Sequence, residues 1–314
     1  MKKVVVIGGG TGTYNVLKGL KNFYLDLTAV VTMADDGGST GRLIDEYGVL
    51  PPGDIRRCLV ALSNSDETMK KLFQYRFEKG SLSGHSFGNI FLTSLKEVLG
   101  NDYLAIKEAG KILKVRGTVL PVTLNKVRLC AELEDGQLIV GETNIDVPKH
   151  NPNLKIKKVF LTPRATANEE VLKKIEEADM IVIGPGDLYT SVIPNILAEK
   201  LPEAIKNSKA KKVYVCNLMT KHGETDGFFV SDFVSELEKY LGKDILDFVL
   251  YNSSSHDKKL LKKYKSEKAF PVLEDKQKFN NFKAEFIQKK VSAEKSLVRH
   301  DSEKLARALV EIIS

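Results

Sequence analysis

Cysteine is scarce: Cys58, Cys130 and Cys216 are the three in 314 residues, odd in number and far apart. No Cys-x-x-Cys pair occurs, which excludes a disulfide scaffold and a paired-cysteine structural metal site, and points to buried, reduced thiols in the cytoplasm. Long apolar runs are missing as well. Residues 4–7, behind Met1-Lys2-Lys3, are too short an apolar core for a signal peptide, and no later run is long enough to span a bilayer. There is no internal repeat, low-complexity tract or long linker. The absence of a Gly-x-Ser-x-Gly elbow argues against a hydrolase triad. The absence of an aromatic-basic RNA-binding motif argues against a nucleic-acid partner.

What is present is ordinary for a water-soluble globular chain: 42 % hydrophobic and 28 % charged residues. The length suits one large α/β domain over residues 1–314, with a core that needs no metal or disulfide staple. The formal net charge of +7 includes a run of Lys258, Lys259, Lys262, Lys263, Lys265 and Lys268. Leu260, Leu261 and Tyr264 interleave with it at helical spacing, so the lysines read as the wet face of an amphipathic helix.

Three glycine-rich turns, each behind a short apolar run, organise the chain. Residues 4–7 lead into Gly8-Gly9-Gly10-Thr11-Gly12-Thr13. Residues 29–33 lead into Asp35-Asp36-Gly37-Gly38-Ser39-Thr40-Gly41-Arg42. Residues 180–183 lead into Gly184-Pro185-Gly186-Asp187-Leu188-Tyr189-Thr190-Ser191. Buried parallel strands read as such β-branched runs, and ligands of open α/β sheets sit at their carboxyl ends. Glycine lets backbone N–H groups approach an anion, and a helix N-terminus favours negative charge. Three such turns describe a nucleotide or sugar-phosphate site.

Strands are expected at residues 4–7, 27–32, 157–161, 180–183 and 212–217, with the last three continuing a parallel sheet, and 248–251 is a further strand candidate. Helices are expected at 13–20, 55–62, 67–77, 87–99, 103–113, 168–177, 192–205, 228–241 and 302–313, the last capped by Ser302. Residues 35–54 read as a long polar loop, which itself suggests function. Residues 126–132 and 137–141 flank Asp135-Gly136, a hairpin signal. The fold class is therefore α/β: a doubly wound, mostly parallel, Rossmann-like three-layer arrangement, with a small antiparallel β-hairpin insertion at about residues 116–147.

The first turn is neither a full dinucleotide fingerprint, since Thr13 stands where the third glycine belongs, nor a P-loop, since no Gly-Lys-Ser/Thr ending follows. Asp35 and Asp36 close the second strand, where acids bond a ribose diol or hold magnesium against phosphates. Arg42 suits a phosphate or carboxylate. Asp54 reads as a helix cap, and Arg56 and Arg57 in the first helical turn oppose the dipole unless an anion joins them. Ser86 reads as a cap, with Asn89 and His85 near enough in sequence to meet a sugar or base. Asn217, with Thr220 and His222, closes a further strand at the same end of the sheet.

Together, residues 8–13, 32–42, 51–57, 85–89, 184–191 and 217–228 resemble the bacterial gluconeogenesis factor family of the YvcK type, in order and over nearly the whole chain. That family is related to 2-phospho-L-lactate transferase, which joins a lactyl phosphate to a deazaflavin. The resemblance implies a cytoplasmic, CofD-like protein needed for cell shape and wall synthesis on gluconeogenic carbon. It also implies binding of a UDP-sugar such as UDP-N-acetylglucosamine without established turnover. In the transferase relatives acids after the second strand hold a divalent metal, which would place Mg2+ on Asp35 and Asp36. The family also engages nucleotide through its C-terminal part, which implies stacking of Tyr264 on a uracil and a phosphate contact for Arg299. The expected partners are a nucleotide-sugar, a wall-synthesis protein and a second copy of the chain. Three readings stay open: a UDP-sugar sensor, a metal-dependent phosphoryl-type transferase and an NAD-binding protein.

Overall fold

The computed structural model describes residues 1–253, 257–294 and 297–314. The N-terminal half runs β1 (Lys2–Gly8), α1 (Gly10–Leu20), β2 (Leu25–Val31), α2 (Gly38–Tyr47), α3 (Pro52–Leu62), α4 (Glu67–Gln74), α5 (Phe87–Leu99), α6 (Asp102–Ile112) and β3 (Thr118–Pro121). An excursion follows: β4 (Arg128–Leu133), β5 (Leu138–Val140), α7 (Glu142–Asp146) and β6 (Ile156–Thr162). The chain then returns through α8 (Glu169–Glu176) and β7 (Met180–Ile183) to a π-helical turn at Leu188–Val192, α9 (Ile193–Ile196), α10 (Leu201–Asn207) and β8 (Lys211–Val215). It ends with α11 (Val230–Leu241), β9 (Phe248–Asn252), α12 (Lys258–Ser266), β10 (Glu285–Lys289), β11 (Ser292–Glu294), β12 (Val298–His300) and α13 (Ser302–Ile313).

Seven strands form one sheet in the order β10-β9-β8-β7-β1-β2-β3, and every pair in it is parallel. Such a sheet must be covered on both faces, which is why Val4–Ile7 and Met180–Ile183 are apolar at every position and nearly inaccessible to water. The chain order reverses between β1 and β7. One side is wound from β1 outward to β3 and the other from β7 outward to β10, so the crevice of the fold opens at the carboxyl ends of these two neighbours.

Several expectations change. Residues 118–121 are not part of the insertion but the last strand of the main sheet. Pro121 sits there because an edge strand tolerates a missing donor. The strand at 156–162 is not parallel: it pairs antiparallel with β4 and makes the hairpin a three-stranded sheet. Its exposed Lys157 and Lys158, whose ammoniums lie 2.7 and 2.9 Å from Glu132 across the pair, mark a half-buried strand. The supposed loop 35–54 holds helix α2, obscured by its Gly37-Gly38 start and its two buried residues, Thr40 and Leu43. The helix expected at 192–205 is broken near Lys200, whose φ is +74°. Asp301, not Ser302, caps α13, accepting the Glu303 and Lys304 N–H groups.

Among the described residues no helix is long and apolar enough to cross a membrane.

Candidate functional site

At the crevice the first and third glycine turns touch. A Cβ on Gly12 would fall 2.1 Å from the Pro185 carbonyl oxygen, so a side chain there would force β1 and β7 turns apart. A Cβ on Gly186 would meet Ser191 at 3.1 Å and the Gly9 carbonyl at 3.6 Å. Thr13, fully buried, donates its hydroxyl to the Gly9 carbonyl at 3.1 Å and fixes the turn from beneath. The second turn closes the other side, and the three together border a cavity of about 540 Å³.

Three helix starts around this cavity carry no side-chain cap of their own, nor does α10, which starts elsewhere at Lys200. α4, α5, α6, α8, α12 and α13 are each capped by a side chain that accepts their first N–H groups: Asp66, Ser86, Asn101, Asn168, Asp257 and Asp301. α1, α2 and the π-helical turn start at Gly9, Gly37 and Asp187 with no side-chain cap. A helix start leaves several orphan N–H groups, and where no side chain takes them they are available to a guest anion.

Both cations and carboxylates line the cavity. The cations are Arg56, Arg57 and Arg76. Arg56 is buried, with its Nε 2.9 Å from Asn89 Oδ1 and its Nη1 3.3 Å from the Phe73 carbonyl. Burial first, then the neighbouring Arg57 and Arg76 charges, pull its guanidinium down to about 10. An anion among these three cations would relieve that repulsion.

Asp35, Asp54 and Glu142 border the same space, and Asp54 meets Arg57 directly. Asp54 is inside α3, not at its cap, and its carboxylate accepts the Gly10 N–H and lies 3.5 Å from Arg57. A Cβ on Gly9 would come within 2.6 Å of Asp54 Oδ2, so this glycine is required by the carboxylate beside it. Burial raises both Asp54 and Asp35 above the ordinary carboxylate range. Glu142, at the start of α7, is pushed up to about 9 by burial and by Asp35, Asp146 and Asp36.

Asp35 and Asp36 do not act as a pair. Asp35 faces the cavity, its Oδ1 accepting the Gly37 N–H at 2.9 Å. Asp36 turns to the insertion, where its Oδ1 takes the Thr143 N–H and hydroxyl, both at 3.0 Å, and so caps α7 from another segment. The donor set therefore does not fit a divalent ion held by both. The cavity-facing Asp35, Asp54 and Thr40 are hard oxygen donors of the kind that would hold magnesium together with phosphate.

A second charged group sits at the rim. Lys221 Nζ lies 2.9 Å from Asp187 and 3.0 Å from the buried Glu224, and also bonds Asp146 of α7. These three carboxylates are close enough together for a metal, but the ammonium already stands among them. Burial opposes the Lys221 charge, yet Glu224, Asp187 and Asp146 hold it well above its ordinary value.

Of the residues expected from sequence, Gly9, Gly10, Thr11 and Gly12 border the cavity. So do Asp35, Gly37, Gly38, Ser39 and Asn89, and, from the third turn, Gly186, Asp187, Thr190 and Ser191. Thr13, Gly184 and Pro185 support it from behind. Arg42 is directed elsewhere, to the Ser83 carbonyl at 2.8 Å, and Arg76 stands on the cavity wall instead, bonded to the Gly84 carbonyl. Tyr264 lies outside the cavity with its hydroxyl accepting the Val298 N–H at 3.0 Å, and Arg299 is exposed on the β11–β12 ribbon. Asn217 and His85 also lie outside it. Arg76, Glu142, Thr143 and Asp146 come from segments without a recognisable motif. The one signal for Asp54 is its place in Pro-Pro-Gly-Asp, where capping explains it equally well.

The family model described as 2-phospho-L-lactate transferase CofD matches residues 4–313. The gluconeogenesis factor of Halalkalibacterium halodurans is 45 % identical over 313 residues, spanning 99 % of this chain and 96 % of that one. The gluconeogenesis factor of Bacillus subtilis is 43 % identical, spanning 99 % and 98 %. The crystal structure of a UPF0052 family member from Bacillus halodurans superposes with a TM-score of 0.95 at 44 % identity, covering 99 % of this chain and all of that one. Sequence, fold and relatives agree along the entire length, and the chain belongs to the CofD family, among the members named gluconeogenesis factors.

Proposed function

We propose that the protein binds a UDP-sugar such as UDP-N-acetylglucosamine and acts as a cytoplasmic regulatory factor for cell shape and wall synthesis during gluconeogenic growth. The observation that carries this reading is the meeting of uncapped helix starts with Arg56, Arg57 and Arg76 around one cavity. Backbone donors and guanidiniums together suit a diphosphate. Ser39, Thr40 and Ser191 add side-chain hydroxyl groups to the residues that border the same space. Bound ligand would order the glycine turns and present a surface to a wall-synthesis partner. Isothermal titration with UDP-N-acetylglucosamine tests the reading: saturable heat is expected, and no heat at millimolar ligand rejects it.

The carboxylates Asp35 and Asp54 favour a second reading, a phosphoryl-type transferase. Magnesium on Asp35 and Asp54 would supply charge neutralisation for a bound diphosphate. The chain's own contribution would be to orient the diphosphate on Arg56, Arg57 and the helix starts. Product formation from a nucleotide-activated donor, lost in Asp35→Asn and Asp54→Asn, is the outcome this reading requires. Silence with magnesium and manganese across candidate acceptors counts against it.

A further inference from the structure

Arg56 lines the cavity from α3, and its partners are unusual for a buried cation. A guanidinium inside a protein is normally paired with a carboxylate, because an unpaired charge is costly to take out of water. Arg56 is only 6 % exposed, yet among the described residues no carboxylate forms an ion pair with it, whereas its neighbour Arg57 pairs with Asp54. The Arg56 Nε donates to Asn89 Oδ1 at 2.9 Å and its Nη1 to the Phe73 carbonyl at 3.3 Å. Both acceptors are neutral.

The sequence around these acceptors is fitted to the arginine. Gly88 and Asn89 stand in the first turn of α5, behind the Ser86 cap, whose Oγ accepts the Asn89 N–H at 3.3 Å. A Cβ on Gly88 would lie 2.6 Å from Arg56 Cδ and 2.7 Å from the Phe73 carbonyl oxygen, so a side chain there would push the arginine stem out of place. Phe73 is fully buried and packs edge-on against Phe87 and Phe91, with ring centroids 5.9 and 5.0 Å away, which fixes the end of α4 that carries the carbonyl. Asn89 is 2 % exposed and borders the cavity with Arg56.

We propose that Asn89 is a positioning residue: it holds the Arg56 guanidinium at the cavity with an uncharged acceptor and so leaves the cationic charge for an anionic group of the ligand. An aspartate in the same place would hold the guanidinium at least as firmly, but would neutralise it. The amide serves the charge balance of the site rather than the strength of the bond within the protein. The ligand group that this arrangement takes is a phosphate or diphosphate; a neutral sugar gains nothing from it. The inference deepens the reading of the cavity as a nucleotide-sugar site, and rests on it only for the presence of an anion there.

The test is calorimetry with inorganic pyrophosphate on the full chain, with urea unfolding of each variant alongside. The wild type is expected to bind the probe. Asn89→Asp keeps the shape and the acceptor, so its urea midpoint is expected to equal or exceed that of the wild type while pyrophosphate affinity falls about tenfold or more. Affinity unchanged in this variant would make Asn89 a merely structural residue and overturns the proposal. A second arm separates positioning from direct contact. Asn89→Ala is expected to weaken the probe in the wild type, but to change it by less than about twofold once Arg56→Met is present, because a residue that acts through Arg56 then has nothing to act on. Losses that multiply would mean that Asn89 touches the anion itself, and overturn the proposal; this cycle decides if Asn89→Asp fails to fold. A wild type that binds no pyrophosphate overturns it as well. Pyrophosphate binding with no response to UDP-N-acetylglucosamine leaves the inference standing and removes the UDP-sugar reading.

Discussion

Asp54 accepts the Gly10 N–H and faces Arg57, so one buried carboxylate orders both the first glycine turn and the guanidinium beside it. Asp54→Ala is expected to weaken UDP-sugar binding by about 1.5–3 kcal/mol, the usual effect of losing a charged hydrogen-bond partner, measured by calorimetry. An affinity equal to wild type would remove Asp54 from the site. His300, at the end of β12, offers a pH test. It is buried, and burial lowers its imidazole to about 4. Unfolded, it binds its proton near 6.5, so between those values the unfolded chain holds more protons and stability falls as the pH is lowered. That difference is worth about 3 kcal/mol. His300→Gln is expected to lose the part of the acid destabilisation between pH 6.5 and 4, read from urea unfolding at several pH values. An unchanged slope would mean that the ring is protonated when folded.

At the scale of elements, the insertion reaches the crevice through one short helix pinned at both ends. Asp36 caps the start of α7, and Asp146 at its end bonds Lys221, which in turn holds the Asp187 turn. Lys221→Met leaves Glu224, Asp187 and Asp146 facing one another without a cation. Of the three only Glu224 is buried, so the expected loss of stability is about 1–3 kcal/mol, that of leaving one buried acceptor without its partner. Amide exchange should rise in 142–146 and 187–192 before the rest of the chain. Uniform exchange throughout would show that α7 is not held by this ammonium. The contact between the first and third turns is equally direct. Gly12→Ala places a methyl group 2.1 Å from the Pro185 carbonyl. Overpacking of this kind costs about 1–3 kcal/mol, and here it should also lower UDP-sugar affinity, because both turns border the cavity.

The whole molecule is closed by its two ends. α13 lies on α1, and Gly19 is the point of closest approach: a Cβ there would fall 1.9 Å from the Ser302 carbonyl and 2.9 Å from Ala306. Gly19→Ala is therefore expected to destabilise the fold by about 1–3 kcal/mol in urea titration, although neither residue borders the cavity. A variant as stable as wild type would show that α13 shifts freely on α1. The alternation of apolar runs with helical periodicity determined the parallel sheet, and the glycine turns behind those runs announced where a ligand belongs, because both signals are local in sequence. The apolar run of β6 looks parallel in sequence although its Lys157 and Lys158 are exposed, and the glycine start of α2 hides that helix. Tertiary structure alone decided that Asp35 and Asp36 part company, that Arg76 rather than Arg42 reaches the cavity, and that Glu142 and Asp146 border it from a distant segment. The physical reason is that a run of side chains records how a strand or helix is buried. Which charges face one another is set by the winding order of the sheet and the docking of the insertion, and these bring together residues more than a hundred positions apart.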